Sequence, residues 1–262
     1  MPRRQRVKKP RRHRRHRGVM AHRRGRQGYT GSRLIEKVYR YITHPQDQYI
    51  VGQQSSIPGS IAIKGGNITN PPLVIANTSA IVASKTGFTN YYDFGASIPF
   101  QLNNLENYLK FTTLYDNYRL ERINIKVEYL SNSAQVQSTG MMPIVYAVVD
   151  RDDVGVPPNL PYIQGRQGFK TWDFGNRGKQ TYTISIKPKV AANVFSNNGG
   201  TLIGFQQSQG MPWQDCVYPA NQYYGLKMWF TNVALPGTTT VDTCFRFSYT
   251  YVLAFKGALN EY

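Results

Sequence analysis

Apolar and polar residues alternate along several long stretches of the chain. In Arg122–Tyr129 (RINIKVEY), Ile123, Ile125, Val127 and Tyr129 fall on one side, and Arg122, Asn124, Lys126 and Glu128 on the other. A period of two predicts a strand with one buried face. Thr181–Lys187 places Tyr182, Ile184 and Ile186 together, and Tyr224–Thr231 aligns Leu226, Met228 and Phe230. Phe245–Phe255 aligns Phe245, Phe247, Tyr249, Tyr251, Leu253 and Phe255. Pro143–Val149 (PIVYAVV) is continuously apolar, which predicts a strand buried on both faces. Weaker strands are expected near Val38–Thr43, Leu73–Ala76, Phe88–Phe94 and Thr201–Phe205. Helical spacing occurs in Asn103–Asp116, where Leu105, Tyr108, Leu109 and Thr112 recur at three and four behind Asn103 or Asn104 as a cap. One short helix is expected there.

About eight strands, turn-rich loops and little helix predict an all-β fold, a sandwich or jelly roll in a single domain. Abundant Tyr, Phe, Thr, Val, Ile, Asn and Gly agree with strands joined by turns. No internal repeat is found.

Charge changes this picture at one end. Of the formal net charge of +18, +13 lies in the first 26 residues, which hold no Asp or Glu. The cations are Arg3, Arg4, Arg6, Lys8, Lys9, Arg11, Arg12, Arg14, Arg15, Arg17, Arg23, Arg24 and Arg26. A block of like charge repels itself and stays disordered until a polyanion neutralises it. The expected division is therefore a disordered nucleic-acid-binding arm over residues 1–31 and a β-domain over residues 32–262. Arg outnumbers Lys, and its guanidinium fork matches phosphate. Lys8, Lys9, Arg11, Arg12, Arg14 and Arg15 also have the composition of a nuclear localisation signal.

With that arm and this body, Leu114–Ser131 (LYDNYRLERINIKVEYLS) followed by Met142–Asp153 (MPIVYAVVDRDD) resembles the capsid proteins of circoviruses and related small circular single-stranded DNA viruses. Tyr118, Arg119, Leu120, Ile123, Ile125, Val127 and Tyr129 occupy that family's strand pattern. TISIKPKV, YGLKMWFTN and FRFSYTYVLAFKG are similar to its later strands, in the same order. Residues 44–100 match less closely. The resemblance implies a jelly roll that assembles into a small icosahedral shell, T=1 with sixty copies, around circular single-stranded DNA. It implies a virion protein, present in the host nucleus during assembly, with nuclear import receptors and an unidentified cell-surface attachment factor as further partners.

Other chemistry is sparse. His13, His16 and His22 lie amid positive charge and His44 stands alone in the body, so neither a metal site nor a Ser-His-Asp or Cys-His constellation is expected. Asp150, Asp152 and Asp153 could hold a hard cation, but a strand end entering a solvated turn is the simpler reading. Arg166, Lys170, Arg177 and Lys179, interleaved with Phe169, Trp172 and Phe174, form a possible phosphate or glycan loop; the plainer alternative makes Trp172 a core residue. Cys216 and Cys244 lack zinc-site spacing and are expected as free thiols. The sequons at Asn67 and Asn77 are read as incidental. No cofactor, enzyme activity or membrane insertion is expected. The leading function is a coat protein. The alternatives are a cellular basic nucleic-acid-binding β-domain of ribosomal or chromatin type and, further off, a jelly-roll enzyme or lectin.

Overall fold

The structure is a computed structural model. It describes residues 37–52, 61–65, 72–75, 82–83, 91–130, 142–150, 155–175, 180–195, 202–207, 212–234 and 242–258. The chain divides into Met1–Ile35 and Glu36–Tyr262, and all described residues belong to the second unit.

That unit is a jelly-roll sandwich. Its strands are β1 (Tyr39–Thr43), β2 (Gln48–Gly52), β3 (Ile61–Gly65), β4 (Val74–Ile75), β5 (Val82–Ala83), β6 (Tyr91–Phe100), β7 (Tyr115–Tyr129) and β8 (Ile144–Val149). They continue with β9 (Lys170–Asp173), β10 (Thr181–Ile186), β11 (Lys189–Phe195), β12 (Leu202–Gln207), β13 (Gln214–Asp215), β14 (Tyr223–Ala234) and β15 (Asp242–Ala258). A seven-stranded sheet has the path β10-β7-β15-β2-β3, with β1 on β15 and β13 on β7. An eight-stranded sheet has the path β12-β11-β14-β6-β4, with β5 on β6 and β9 on β8, which pairs with β14. Every pairing among the described residues is antiparallel. The chain changes sheet repeatedly, at β4, β7, β8, β10, β11, β13, β14 and β15.

The alternation in the sequence places the core between the sheets. Ile123, Ile125 and Val127 on β7 and Phe245, Phe247, Tyr249 and Tyr251 on β15 point inward and are buried. Opposite them stand Phe94, Ile98 and Phe100 on β6 and Leu226, Met228 and Phe230 on β14. Phe230 stacks on Phe94 at 4.8 Å and meets Phe245 edge-on at 5.0 Å, which links the two sheets. Such ring pairs contribute about 0.5–1.5 kcal/mol each beyond their burial. Gly225 is required where β14 shifts register against β6, because a Cβ there would collide with the Ile98 carbonyl.

Helix is scarce. A 3-10 turn, Leu102–Asn104, and helix α1, Tyr108–Thr112, occupy the stretch where one short helix was expected. A second helix, α2 (Leu160–Gln164), was not expected. The Asn159 side-chain oxygen accepts the Tyr162 N–H at 2.9 Å, and Pro161 sits in the first turn, where its missing N–H costs nothing. The segment leading into α2 crosses β6 at Gly95, where the Pro157 carbonyl leaves no room for a Cβ. α2 therefore lies against the face of the eight-stranded sheet away from the core, over Val148 and Trp229.

Fifteen strand segments among the described residues exceed the expected eight or so. The surplus includes two-residue strands such as β4, β5 and β13 and the short strand β9, all too brief to show a period. The strand expected near Phe88–Phe94 begins at Tyr91 and runs on to Phe100.

Candidate nucleic-acid interface

The arm cations Arg3, Arg4, Arg6, Lys8, Lys9, Arg11, Arg12, Arg14, Arg15, Arg17, Arg23, Arg24 and Arg26 lie outside the described residues, as do His13, His16 and His22. So do Asn67, Asn77, Asp152, Asp153, Arg177 and Lys179.

In the body, the strand pattern sets one face of the seven-stranded sheet toward solvent. Arg119, Arg122, Asn124, Lys126 and Glu128 line this face of β7, and Arg246, Ser248, Thr250 and Val252 stand opposite on β15. A register shift lies between Val252 and Leu253, whose partners are Arg122 and Leu120. Glu121 is the extra residue, and such a bulge interrupts strict alternation. Arg119, Glu121 and Arg122 all escape the core as a result. Glu121 then accepts from two arginines. Arg40 Nε lies 3.0 Å from Oε2, and Arg119 Nη2 lies 2.6 Å from Oε1. Burial pushes the Glu121 carboxyl up, but hydrogen bonds and charge from Arg40 and Arg119 outweigh it and hold it below the ordinary carboxylate range. Further along the face, Lys126 bonds Glu128 at 2.7 Å, and Arg246 Nε bonds Asp47 at 2.7 Å. The Thr250 hydroxyl and the Nδ1 of His44 are 3.2 Å apart on the same face.

Of the carboxylates in VVDRDD, Asp150 is the one that lies within the described residues. Asp150 is neither solvated nor open to a cation; it is 4% exposed and pairs with Lys227, itself 3% exposed. Lys227 Nζ lies 3.0 Å from Asp150 Oδ2, and Arg166 reaches the same oxygen at 3.7 Å. The Tyr162 hydroxyl sits among them, accepting from Lys227 at 2.9 Å and Arg166 at 2.7 Å and donating to Asp150 at 3.2 Å. This cluster fastens α2 to β8 and β14. Among the described residues no group of three or more His, Cys, Asp or Glu is placed to hold a metal ion.

Of the possible phosphate or glycan loop, Arg166, Phe169, Lys170, Trp172 and Phe174 lie within the described residues. Trp172 is buried on β9 and stacks on Tyr182 at 5.6 Å, as a core residue. Arg166 is committed to Asp150 and Tyr162, while Lys170 and Phe169 are exposed. The ring in this loop that reaches solvent is thus Phe169 rather than Trp172.

The molecule is a two-sheet jelly roll with a cationic outer face. Among solved structures it is similar to the BFDV capsid protein in its 60-mer form, with a TM-score of 0.55 and 12% identity over 87% of this chain and 97% of that one. The decameric form of the BFDV capsid protein aligns at a TM-score of 0.45, with 13% identity over 84% of this chain and 99% of that one. The protein of Desmodium yellow mottle tymovirus aligns at 0.37, with 9% identity over 87% and 91%. No curated protein matches the chain. The fold is one that viral capsid proteins adopt. Residues 2–259 match the family described as circovirus capsid protein, and the chain belongs to that family, whose members are structural components of the virion and not enzymes.

Proposed function

We propose that this capsid protein assembles into a T=1 icosahedral shell of sixty copies and packages circular single-stranded DNA through residues 1–31, the jelly-roll domain of residues 32–262 forming the wall. The observation that carries this reading is the charge distribution, in which +13 of +18 lies in 26 residues that contain no acid. The sixty-copy shell is supported by the 60-mer of the similar BFDV protein. Sixty arms would bring about 780 positive charges together, and such a charge repels itself strongly unless phosphates neutralise it. Nucleic acid is therefore captured as the shell forms. Lys8, Lys9, Arg11, Arg12, Arg14 and Arg15 serve nuclear import before assembly, which places the protein in the host nucleus and then in the virion.

The test compares the full-length chain with one lacking Met1–Arg26, by electron microscopy and by the ratio of nucleic-acid to protein absorbance. Full-length shells should be filled, and truncated protein should give empty shells or soluble subassemblies. Truncated shells as full as the intact ones would refute packaging by the arm.

A further inference from the structure

The outer face of the seven-stranded sheet ends, where β1 enters it, in a group of side chains with no role so far. β13 pairs with β7 through Gln214–Tyr118 and Asp215–Asn117, so Trp213 stands next to Arg119 at the following register position. Beyond Arg119 come Ala254 on β15 and then Arg40 on β1. Lys256, opposite Asn117, lies one step along the same face. The Arg119 guanidinium carbon is 4.5 Å from the Trp213 ring centroid, and Lys256 Nζ is 5.3 Å from it. Glu121, set out by the bulge, holds the guanidiniums of Arg119 and Arg40 on either side of the small, buried Ala254. The indole is half-buried. Asp116 and Asp215 lie at the neighbouring strand ends, Asp215 turned to the backbone N–H of Val217.

We propose that this row is a binding site on the body for single-stranded nucleic acid, with Trp213 as the platform for a base and Arg119, Lys256 and Arg40 directed at the flanking phosphates. The proposal rests on the reading of the chain as a genome-packaging protein and adds a second contact of a different kind. Arginines of the arm neutralise phosphates without fixing where a strand lies. An aromatic ring set among cations on a rigid sheet holds one nucleotide in place, because every base offers a face for stacking. Glu121 serves as a positioning residue. It keeps Arg119 over the ring until a base takes its place, and the row itself carries three cations and this one carboxylate, with Asp116 and Asp215 at its margin.

The test uses the full-length protein and an oligothymidylate probe. Ultraviolet crosslinking followed by peptide mass spectrometry should place a nucleotide adduct on the peptide that holds Trp213. Trp213→Ala should weaken binding about five- to 150-fold, the range for one stacked base, and leave the salt dependence unchanged. Trp213→Phe should retain most of the affinity. Arg119→Gln with Lys256→Gln should flatten the salt slope by about 0.7 for each phosphate that is no longer neutralised. Neutralising Arg11, Arg12, Arg14 and Arg15 should also flatten that slope but leave the Trp213 adduct in place, so failure of the arm reading and failure of this one are separable. Should Trp213→Ala not fold, the adduct on the unaltered protein decides. Adducts confined to arm peptides would overturn the proposal. So would loss of assembly at unchanged affinity for the probe, which assigns the row to contact between copies.

Discussion

Lys227 and Asp150 form an ion pair at 3.0 Å with both side chains almost wholly removed from water. Each lies on the side of its strand away from the sandwich core, where a sheet would ordinarily meet solvent. Here the segment from Val156 to Ile163 covers that side, with α2 packed on Val148 and Trp229. The pair is tolerable because its polar atoms are met. The Tyr162 hydroxyl bonds both partners, and Arg166 adds a second cation from the solvent side.

Removing one partner should therefore cost far more than losing a surface pair. Lys227→Met is expected to lower the unfolding free energy by about 3–5 kcal/mol, eased to the extent that Arg166 replaces the lost charge. Combining it with Asp150→Asn should recover much of the loss, since no buried charge is then stranded. Urea denaturation of the unassembled chain measures both. A loss in Lys227→Met below about 1 kcal/mol, the range of exposed pairs, would show that water reaches the site.

The Glu121 carboxylate gives a pH dependence with a definite sign. Its folded pKa lies below the unfolded value because Arg40 and Arg119 outweigh burial. The stability it contributes is thus fully present above the unfolded carboxylate pKa and is lost as pH falls through the depressed folded value. Glu121→Gln should be less stable than the parent at pH 7, and the two should converge as the medium becomes strongly acidic. Denaturation midpoints at the two pH values read this directly. A gap that widens on acidification would mean that another group sets the acid limb.

These two carboxylates show what the sequence makes legible and what it hides. The alternation in Arg122–Tyr129 and Phe245–Phe255 named the inward residues of β7 and β15, because one face of each strand is buried and the other wet. The same alternation set Lys227 opposite Leu226, Met228 and Phe230, but a period of two does not say what covers the second face. Burial of Lys227 and Asp150 depends on α2, five residues long and too short to display a helical period. Its only signals were Asn159 before it, Pro161 within it and Gly165 after it, a cap, a first-turn proline and a stop. The group around Trp213 was hidden for another reason. Arg119, Trp213 and Lys256 are far apart in the chain, and β13, which brings Trp213 to β7, has two residues.

Both cysteines are buried thiols outside any disulfide, and neither lies on the surface where a thiol reagent would meet it. Burial, with the nearby carboxylates Asp215 and Asp116, pushes the Cys216 thiol up to about 12. At pH 8 its thiolate population should be about a thousandfold below that of an exposed cysteine. Alkylation without reductant should add no label to the folded chain on the timescale that labels glutathione, and two labels once the chain is unfolded. Intact-mass analysis reads the count. Absence of labels after unfolding would mean that the thiols are oxidised to a disulfide.

The arm should announce its mode of binding through salt. Thirteen cations precede Gln27 with no acid among them, and no Phe, Tyr or Trp lies within Met1–Arg26 to stack on a base. Its contribution is therefore phosphate neutralisation with release of counterions, a term blind to sequence. For single strands the logarithm of affinity falls with the logarithm of salt at about 0.7 per phosphate neutralised. If about half of the cations engage, six phosphates give a slope near −4, roughly a 250-fold loss of affinity between about 50 mM and 200 mM salt. Titrating the full-length protein with oligonucleotides of different sequence and equal length should return that slope for each, with affinities close to one another. The chain without Met1–Arg26 should keep a shallow slope from the body's cations. A slope near zero in the full-length protein, or a strong preference for one oligonucleotide, would rule out binding through phosphates alone.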